Sequence, residues 1–303
     1  MSSSSTSWTR LIRFIAQEDG AEYYGQPVDD STDVGLAIYS GNTVRAAVVQ
    51  ASSAVDPAAR VTSQVLTVKK LLSPIKRSSV GAVVAIGLNY TDHAKEMNLD
   101  IPDVPTIFLK ARTSITDPNA VIKVPKAALD HIDYEVELAV VLSKDCRDVS
   151  PEEALDYVLG YTLANDLTSR NHQALTSQWS HAKSFDAFCP LGPCIVSSRA
   201  LLDPSNVALT TRLEDQPDRY LQSGNTSSWI FPLAKAISYI SQGYTLEAGS
   251  VLLTGTPPGI GAGQTPPVWL KHGDVTLLNA NHGIGTLVNT FSFEAAPKMN
   301  GVH

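Results

Sequence analysis

Cysteine is scarce: Cys146, Cys189 and Cys194 are the only three in 303 residues. They form neither an even disulfide set nor a CxxC metal pair, which fits a reducing compartment and inert, buried thiols. Long apolar runs are missing too. None approaches the ~20 residues that cross a bilayer, and charges break the apolar stretch "TRLIRFIAQ" near the start, so neither a membrane helix nor a signal peptide is expected. No block of five like charges occurs, and 23 Lys and Arg against 30 Asp and Glu leave a formal net charge of −7. That balance argues against a nucleic-acid or anionic-membrane surface and favours a small partner. Among seven histidines there is no HExxH pattern, and the Gly/Pro-rich "TGTPPGIGAG" has neither the GK[ST] of a phosphate loop nor the GxGxxG of a dinucleotide fingerprint.

What is present is ordinary globular composition, 43% hydrophobic and 17% charged. A cytoplasmic location follows most simply. The Ser-rich start with Arg10 and Arg13 and no acid weakly resembles a mitochondrial transit peptide, although "WTRLIRFI" reads better as a first strand behind a floppy Ser-rich tip.

Residues 8–50 alternate short β-prone runs ("LIRFI", "EYYG", "VGLAIY", "VRAAVV") with turns, a small meander of strands. "VLTVKKLLSPI" at 65–75 predicts a short helix stopped by Pro74, and "KRSS" marks a boundary: a small N-terminal β-rich region at 1–75 and a larger domain at 76–303. "VGAVVAIGLNY" predicts a buried strand turning at Gly87, and "TDHAKEM" a helix of about two turns. "SPEEALDYVLG" predicts a helix over 150–160, with Ser150 as N-cap, Pro151 at N1, Glu153 at N3 and Gly160 as the stop. "YTLANDLT" follows as a strand, "FPLAKAISYIS" as a helix, and 250–293 as strands. Many strands, few helices and no regular βαβ rhythm predict an α+β fold.

The chemistry concentrates in a few stretches. In "HIDYEVELAVVL", Glu135 and Glu137 are two apart, so on a strand both carboxylates project from one face, about 6.6 Å apart along the chain. Alternating charge on a strand is commonly a solvated face, but the apolar continuation "LAVVL" puts this pair at the edge of the core. Like charges there need a counter-charge, and a hard divalent ion bound by two or three carboxylates would supply one. Asp166 is the candidate third ligand. The reading requires Asp166 to join the glutamates and no Lys or Arg to fill the gap between them. In "YTDHAKEMN", His93 and Glu96 are three apart, which on a helix pairs a carboxylate with an imidazole as in a general base. Arg170, Gln173 and Lys183 could bind an anionic substrate or stabilise an oxyanion, and Thr256 sits on a rigid turn suited to touching a ligand.

Six blocks in this order, "GLNYTDHAKEM", "PTIFLKARTSI", "DYEVELAVVL", "GYTLANDLTSRN", "KSFDAFCPLGP" and "LLTGTPPGIG", resemble the fumarylacetoacetate hydrolase family over residues 86 to about 285. The resemblance implies a mixed β-roll catalytic domain and a homodimer. It implies Glu135, Glu137 and Asp166 as ligands of Mg²⁺ (or Mn²⁺), and His93 with Glu96 as a catalytic dyad on a mobile lid helix. Arg170, Gln173 and Thr256 are similar to substrate-binding residues, and Lys183 to a catalytic oxyanion-stabilising one. The implied activity is hydrolysis of a C–C bond in an acylpyruvate-like 2-oxo acid through a metal-stabilised enolate. Oxaloacetate tautomerase or decarboxylase chemistry would use the same site, and "QSGNT" at 222–226 also resembles tautomerase-type members. A non-catalytic ligand-binding or assembly module is the third reading, and it would need none of these side chains. One departure stands out: Asn171 follows Arg170 where the family usually has Asp, so a charge is missing near the expected site and substrate choice is affected more than metal binding.

Overall fold

The computed structural model describes residues 7–128 and 130–294, so the Ser-rich tip lies outside the described residues. In chain order the first elements are β1 (Arg10–Ala16), β2 (Glu22–Pro27), helix α1 (Val34–Tyr39), β3 (Arg45–Gln50) and β4 (Arg60–Leu72). Next come β5 (Val83–Gly87), helix α2 (Thr91–Glu96), β6 (Thr106–Lys110), β7 (Ile115–Thr116) and β8 (Val121–Val124). The middle holds β9 (Ile132–Asp133), β10 (Val136–Leu142), β11 (Val158–Asn165), β12 (Thr168–Ser169), the short helices α3 (Arg170–Gln173) and α4 (Ser180–Lys183), and β13 (Cys189–Ser197). The last third adds β14 (Ala208–Leu213), β15 (Gln222–Asn225), helix α5 (Leu233–Ile240), β16 (Val251–Leu253), β17 (Val275–Ala280) and β18 (Gly285–Phe293).

Most of these strands join one long, curled sheet in the order β2-β3-β4-β1-β13-β11-β10-β16-β5-β6, and a five-stranded sheet, β15-β14-β17-β18-β8, accompanies it. Pairing is mixed: β16 runs parallel to β5 and β18 parallel to β8, while β10 is antiparallel to both β11 and β16. This is the expected α+β arrangement, a mixed β-roll with few helices. The four N-terminal strands pair in a closed circuit, and Arg10 and Leu11 of β1 continue it by pairing with Val196 and Ile195 of β13.

Three local expectations fail, two of them for a tertiary reason. "VLTVKKLL" is part of the 13-residue strand β4, not a helix. Val65, Thr67 and Val68 are β-branched, and pairing with both β3 and β1 outweighs the helical reading of a short amphipathic run. "VGLAIY", read as a strand, is α1: Asp33 caps it by accepting from the Leu36 N–H at 3.1 Å. Around 150–160 only the 3₁₀ turn Ala154–Tyr157 forms. Half of the capping box survives, the Ser150 N–H donating to Glu153 at 3.4 Å, but from Val158 onward the chain belongs to β11. Gly160 is therefore not a helix stop. A Cβ there would lie 2.3 Å from the Val196 carbonyl oxygen, so this glycine lets β11 and β13 approach.

The strand "VELAVVL" is buried at every position because it lies between two others. Its register decides where the site falls. Val136 pairs with Asn165 at the end of β11, Ala139 with Leu253 at the end of β16, and Leu253 with Ala85 near the end of β5. The start of β10 and the ends of β11, β16 and β5 thus share one edge of the sheet. Glu135, Asp166, the Gly/Pro loop after β16 and the segment leading to α2 all emerge there.

Candidate metal centre and active site

At that edge, antiparallel pairing brings Asp166 opposite Glu135: the Asp166 N–H donates to the Glu135 carbonyl at 2.9 Å, and the Glu135 N–H to the Asn165 side chain at 3.0 Å. Glu137 follows on the same face of the strand. Glu135, Glu137 and Asp166 each offer an oxygen within 4.8 Å of the others, and all three residues are buried. The sequence expectation of a three-carboxylate cluster from two strands is met in position.

Cations also reach the cluster. The Lys183 ammonium lies 2.8 Å from Glu135 and 2.5 Å from Asp166, and Lys110 lies 2.5 Å from the other oxygen of Asp166. Arg170 donates to Glu135 at 2.6 Å and to Asp133 at 2.8 Å. Lys183 therefore bridges Glu135 to Asp166, so the requirement that no Lys or Arg fill the gap is not met between those two carboxylates; among the described residues, no Lys or Arg bridges Glu135 to Glu137. Burial alone would raise the Glu135 carboxyl, but Lys183 and then Arg170 outweigh it and hold it down to about 2. Glu137 goes the other way. Burial, reinforced by the charges of Asp166 and Glu135, pushes it well above the usual carboxylate range, and its recorded partner is the Gly255 N–H at 2.6 Å.

The charge count favours a cation. Four buried acids, Asp133, Glu135, Glu137 and Asp166, face three basic side chains, Lys110, Lys183 and Arg170. Glu137 has no basic partner among the described residues and burial holds it toward the neutral form, so a cation beside it would favour its ionised form. Closely spaced hard carboxylate oxygens fit a hard dication such as Mg²⁺. Glu135, Glu137 and Asp166 are the residues that would hold it.

The remaining residues surround the cluster. His93 pairs through Nδ1 with Glu96 at 2.9 Å, and the second oxygen of Glu96 accepts from the Gly259 N–H at 2.8 Å. Arg170 also donates to Gln173 at 2.9 Å. The Thr256 hydroxyl donates to the Val136 carbonyl at 2.9 Å and accepts from Gln222 at 2.7 Å. A cavity of about 190 Å³ opens onto these groups, and of the nine residues singled out from sequence all but Glu96 line it. Glu96 stands behind His93 and orients its ring.

Sequence reasoning assigned no role to two members. Lys110 ends the strand "TIFLK", and only its place beside that apolar run hinted at it in the sequence; its burial shows in the structure alone. Asp133 precedes Glu135 by two, so D-x-E-x-E already had the strand period; it accepts from the N–H groups of Tyr134, Gly261 and Ala262 at 2.9, 2.6 and 3.0 Å while holding Arg170. Asn171 is not at the cluster. It meets His131 Nδ1 at 2.6 Å on the exposed side and does not line the cavity.

A mixed β-roll with a buried acidic cluster beside a His–Glu pair defines an enzyme site for a small molecule. The chain belongs to the Fumarylacetoacetate (FAA) hydrolase C-terminal family, whose model matches residues 82–292. It is 41% identical over 308 residues to caffeoylpyruvate hydrolase from Neonothopanus nambi, covering 99% of this chain and 98% of that one. It is 40% identical over 222 residues to oxaloacetate tautomerase YisK from Bacillus subtilis, covering 73% and 72%. Among solved structures it resembles a 5-carboxymethyl-2-hydroxymuconate delta-isomerase from Mycobacterium smegmatis with a TM-score of 0.75 and 32% identity, covering 94% and 99%. No helix among the described residues is long and apolar enough to cross a membrane.

Proposed function

We propose that this protein is a Mg²⁺-dependent (or Mn²⁺-dependent) acylpyruvate hydrolase, acting as a homodimer on a 2-oxo acid and cleaving the C–C bond between its acyl and pyruvate halves. The observation that carries the reading is the opening of the acidic triad and His93 into one cavity. Similarity to caffeoylpyruvate hydrolase over nearly the whole of both chains supports the hydrolytic version.

A bound dication would supply Lewis-acid polarisation of the 2-oxo group. The chain's own residues do the rest. Glu96 accepts from Nδ1–H of His93, which leaves Nε2 as the lone-pair nitrogen that takes a proton from water. That water adds to the acyl carbonyl. Lys183, protonated because Asp166 and Glu135 outweigh the cost of its burial, donates to the developing oxyanion. Collapse breaks the C–C bond, its electrons pass into the pyruvate half, which takes up the proton held by His93, and the acyl half leaves as a carboxylic acid. Arg170, Gln173 and Thr256 orient the substrate's polar end.

Oxaloacetate tautomerisation is the second reading, supported by the similarity to the Bacillus subtilis tautomerase; it needs the same cluster and a proton shuttle but no attacking water. Acetylpyruvate, fumarylpyruvate and oxaloacetate assayed side by side with Mg²⁺ separate the readings. Hydrolysis predicts pyruvate plus a carboxylic acid, abolished by excess EDTA. Keto–enol exchange of oxaloacetate alone selects the tautomerase, release of CO₂ a decarboxylase, and inertness with all three a binding or assembly module.

A further inference from the structure

Half of the cavity has no part in the chemistry above. Beside the carboxylates its lining is Leu88, Met97, Leu99, Phe108, Trp179 and Ile260. Phe108 and Trp179 meet edge to face, ring centroids 5.6 Å apart at 67°. The Lys183 ammonium is 5.1 Å from the Phe108 ring centroid, so this wall begins directly beside the polar cluster. Gly87 makes room for the indole: a Cβ there would lie 2.2 Å from Trp179 Cζ3. Trp179 also immediately precedes α4, the turn that carries Lys183.

The charges leave little for a second anion at this wall. Lys110 pairs with Asp166; Lys183 and Arg170, paired with Glu135, Asp166 and Asp133, serve the reacting end of the substrate; and His93 pairs with Glu96. Among the described lining residues, no further Lys or Arg is available to meet a carboxylate on the acyl side. A carboxylate pressed against this wall would lose water without gaining a counter-charge. An apolar group gains instead. Met97 and Leu99 line the cavity yet remain 36% and 54% exposed, so an apolar occupant would cover surface that water now touches. The tilted aromatic pair offers edges and faces against which a further ring packs well.

We infer that the substrate carries an uncharged aryl group on its acyl side, seated against Phe108 and Trp179, which act as specificity-determining residues. The inference rests on the 2-oxo acid reading and names the substrate class within it. Calorimetry on the Mg²⁺-loaded protein tests it with two ligands that share the 2-oxo acid head and have no acyl carbonyl to cleave: 2-oxo-4-phenylbutanoate and 2-oxoglutarate. The expected result is at least tenfold tighter binding of the phenyl compound. In Trp179→Ala that preference should shrink toward unity. Should that variant fail to fold, Leu99→Lys, at an exposed rim position, should narrow the preference at least threefold by strengthening 2-oxoglutarate. Equal or tighter binding of 2-oxoglutarate by the unmodified protein overturns the inference; if oxalate still binds with Mg²⁺, the 2-oxo acid reading survives. Failure of oxalate to bind brings down that reading and the inference with it.

Discussion

His93 and Glu96 meet at 2.9 Å within one short helix, and the carboxylate that orients the imidazole is itself held by the Gly259 N–H from the Gly/Pro loop. The helix over the cavity is thus latched to the loop that carries Thr256. His93→Ala should lower hydrolysis by about 10²- to 10⁴-fold, the usual contribution of a general base. Its Mg²⁺ affinity should not change, since His93 is no ligand. Glu96→Gln should lower turnover less, keep the Gly259 contact, and move the pH–rate profile. Isothermal titration with Mg²⁺ alongside steady-state rates checks both, and unchanged turnover in His93→Ala would refute the dyad.

Glu135 and Glu137 are neighbours on one face with opposite dependencies. Glu135→Ala takes one of two buried carboxylate partners from each of Arg170 and Lys183, which keep Asp133 and Asp166, and should cost about 1–3 kcal/mol of stability as well as turnover. Glu137→Gln removes an acid that burial already pushes toward neutrality, and its amide oxygen can still accept from Gly255. Stability without metal should therefore hold or rise, while Mg²⁺ affinity falls by about 10–100-fold or more. Melting curves with and without Mg²⁺ separate the two effects.

Lys183→Met removes the bridge between Glu135 and Asp166 and leaves the acidic cluster less compensated. The metal-free variant should melt at a lower temperature than the parent, and added Mg²⁺ should restore more stability to it than to the parent, because binding to the folded state alone raises the midpoint. Turnover should be lost although metal affinity does not fall. A variant that is both active and no more responsive to Mg²⁺ would remove Lys183 from the site's chemistry.

All three cysteines are buried, and burial pushes the Cys189 thiol up to about 12. At pH 8 this group stays protonated, so iodoacetamide should leave it unmodified in the native protein; reactivity should appear only on unfolding. Mass spectrometry of alkylated protein before and after denaturant reads this directly.

The side chains that gather at the cavity were easier to pick out in the sequence than parts of the fold. Glu135, Glu137, His93 and Glu96 announce themselves through spacing within single strands or helices, a local property. Lys110 does not, because its role depends on a strand 56 residues from Asp166 curling back to it. The same distance in sequence explains the misread elements: β4 and the start of β11 are decided by partner strands, and Gly160 by the carbonyl of Val196. Asn171 misled in the opposite sense, since its neighbour in sequence faces the cluster while it faces His131.

Strand β10 is flanked by pairing on both sides, whereas α2 has Ala94 as its buried residue. Amide hydrogens in β10 should therefore exchange through global unfolding, and those of α2 through local opening. Divergence has correspondingly unequal room in the two places. Changes around α2 and the Trp179 turn alter the cavity wall alone, while changes in β10 put the whole molecule at risk.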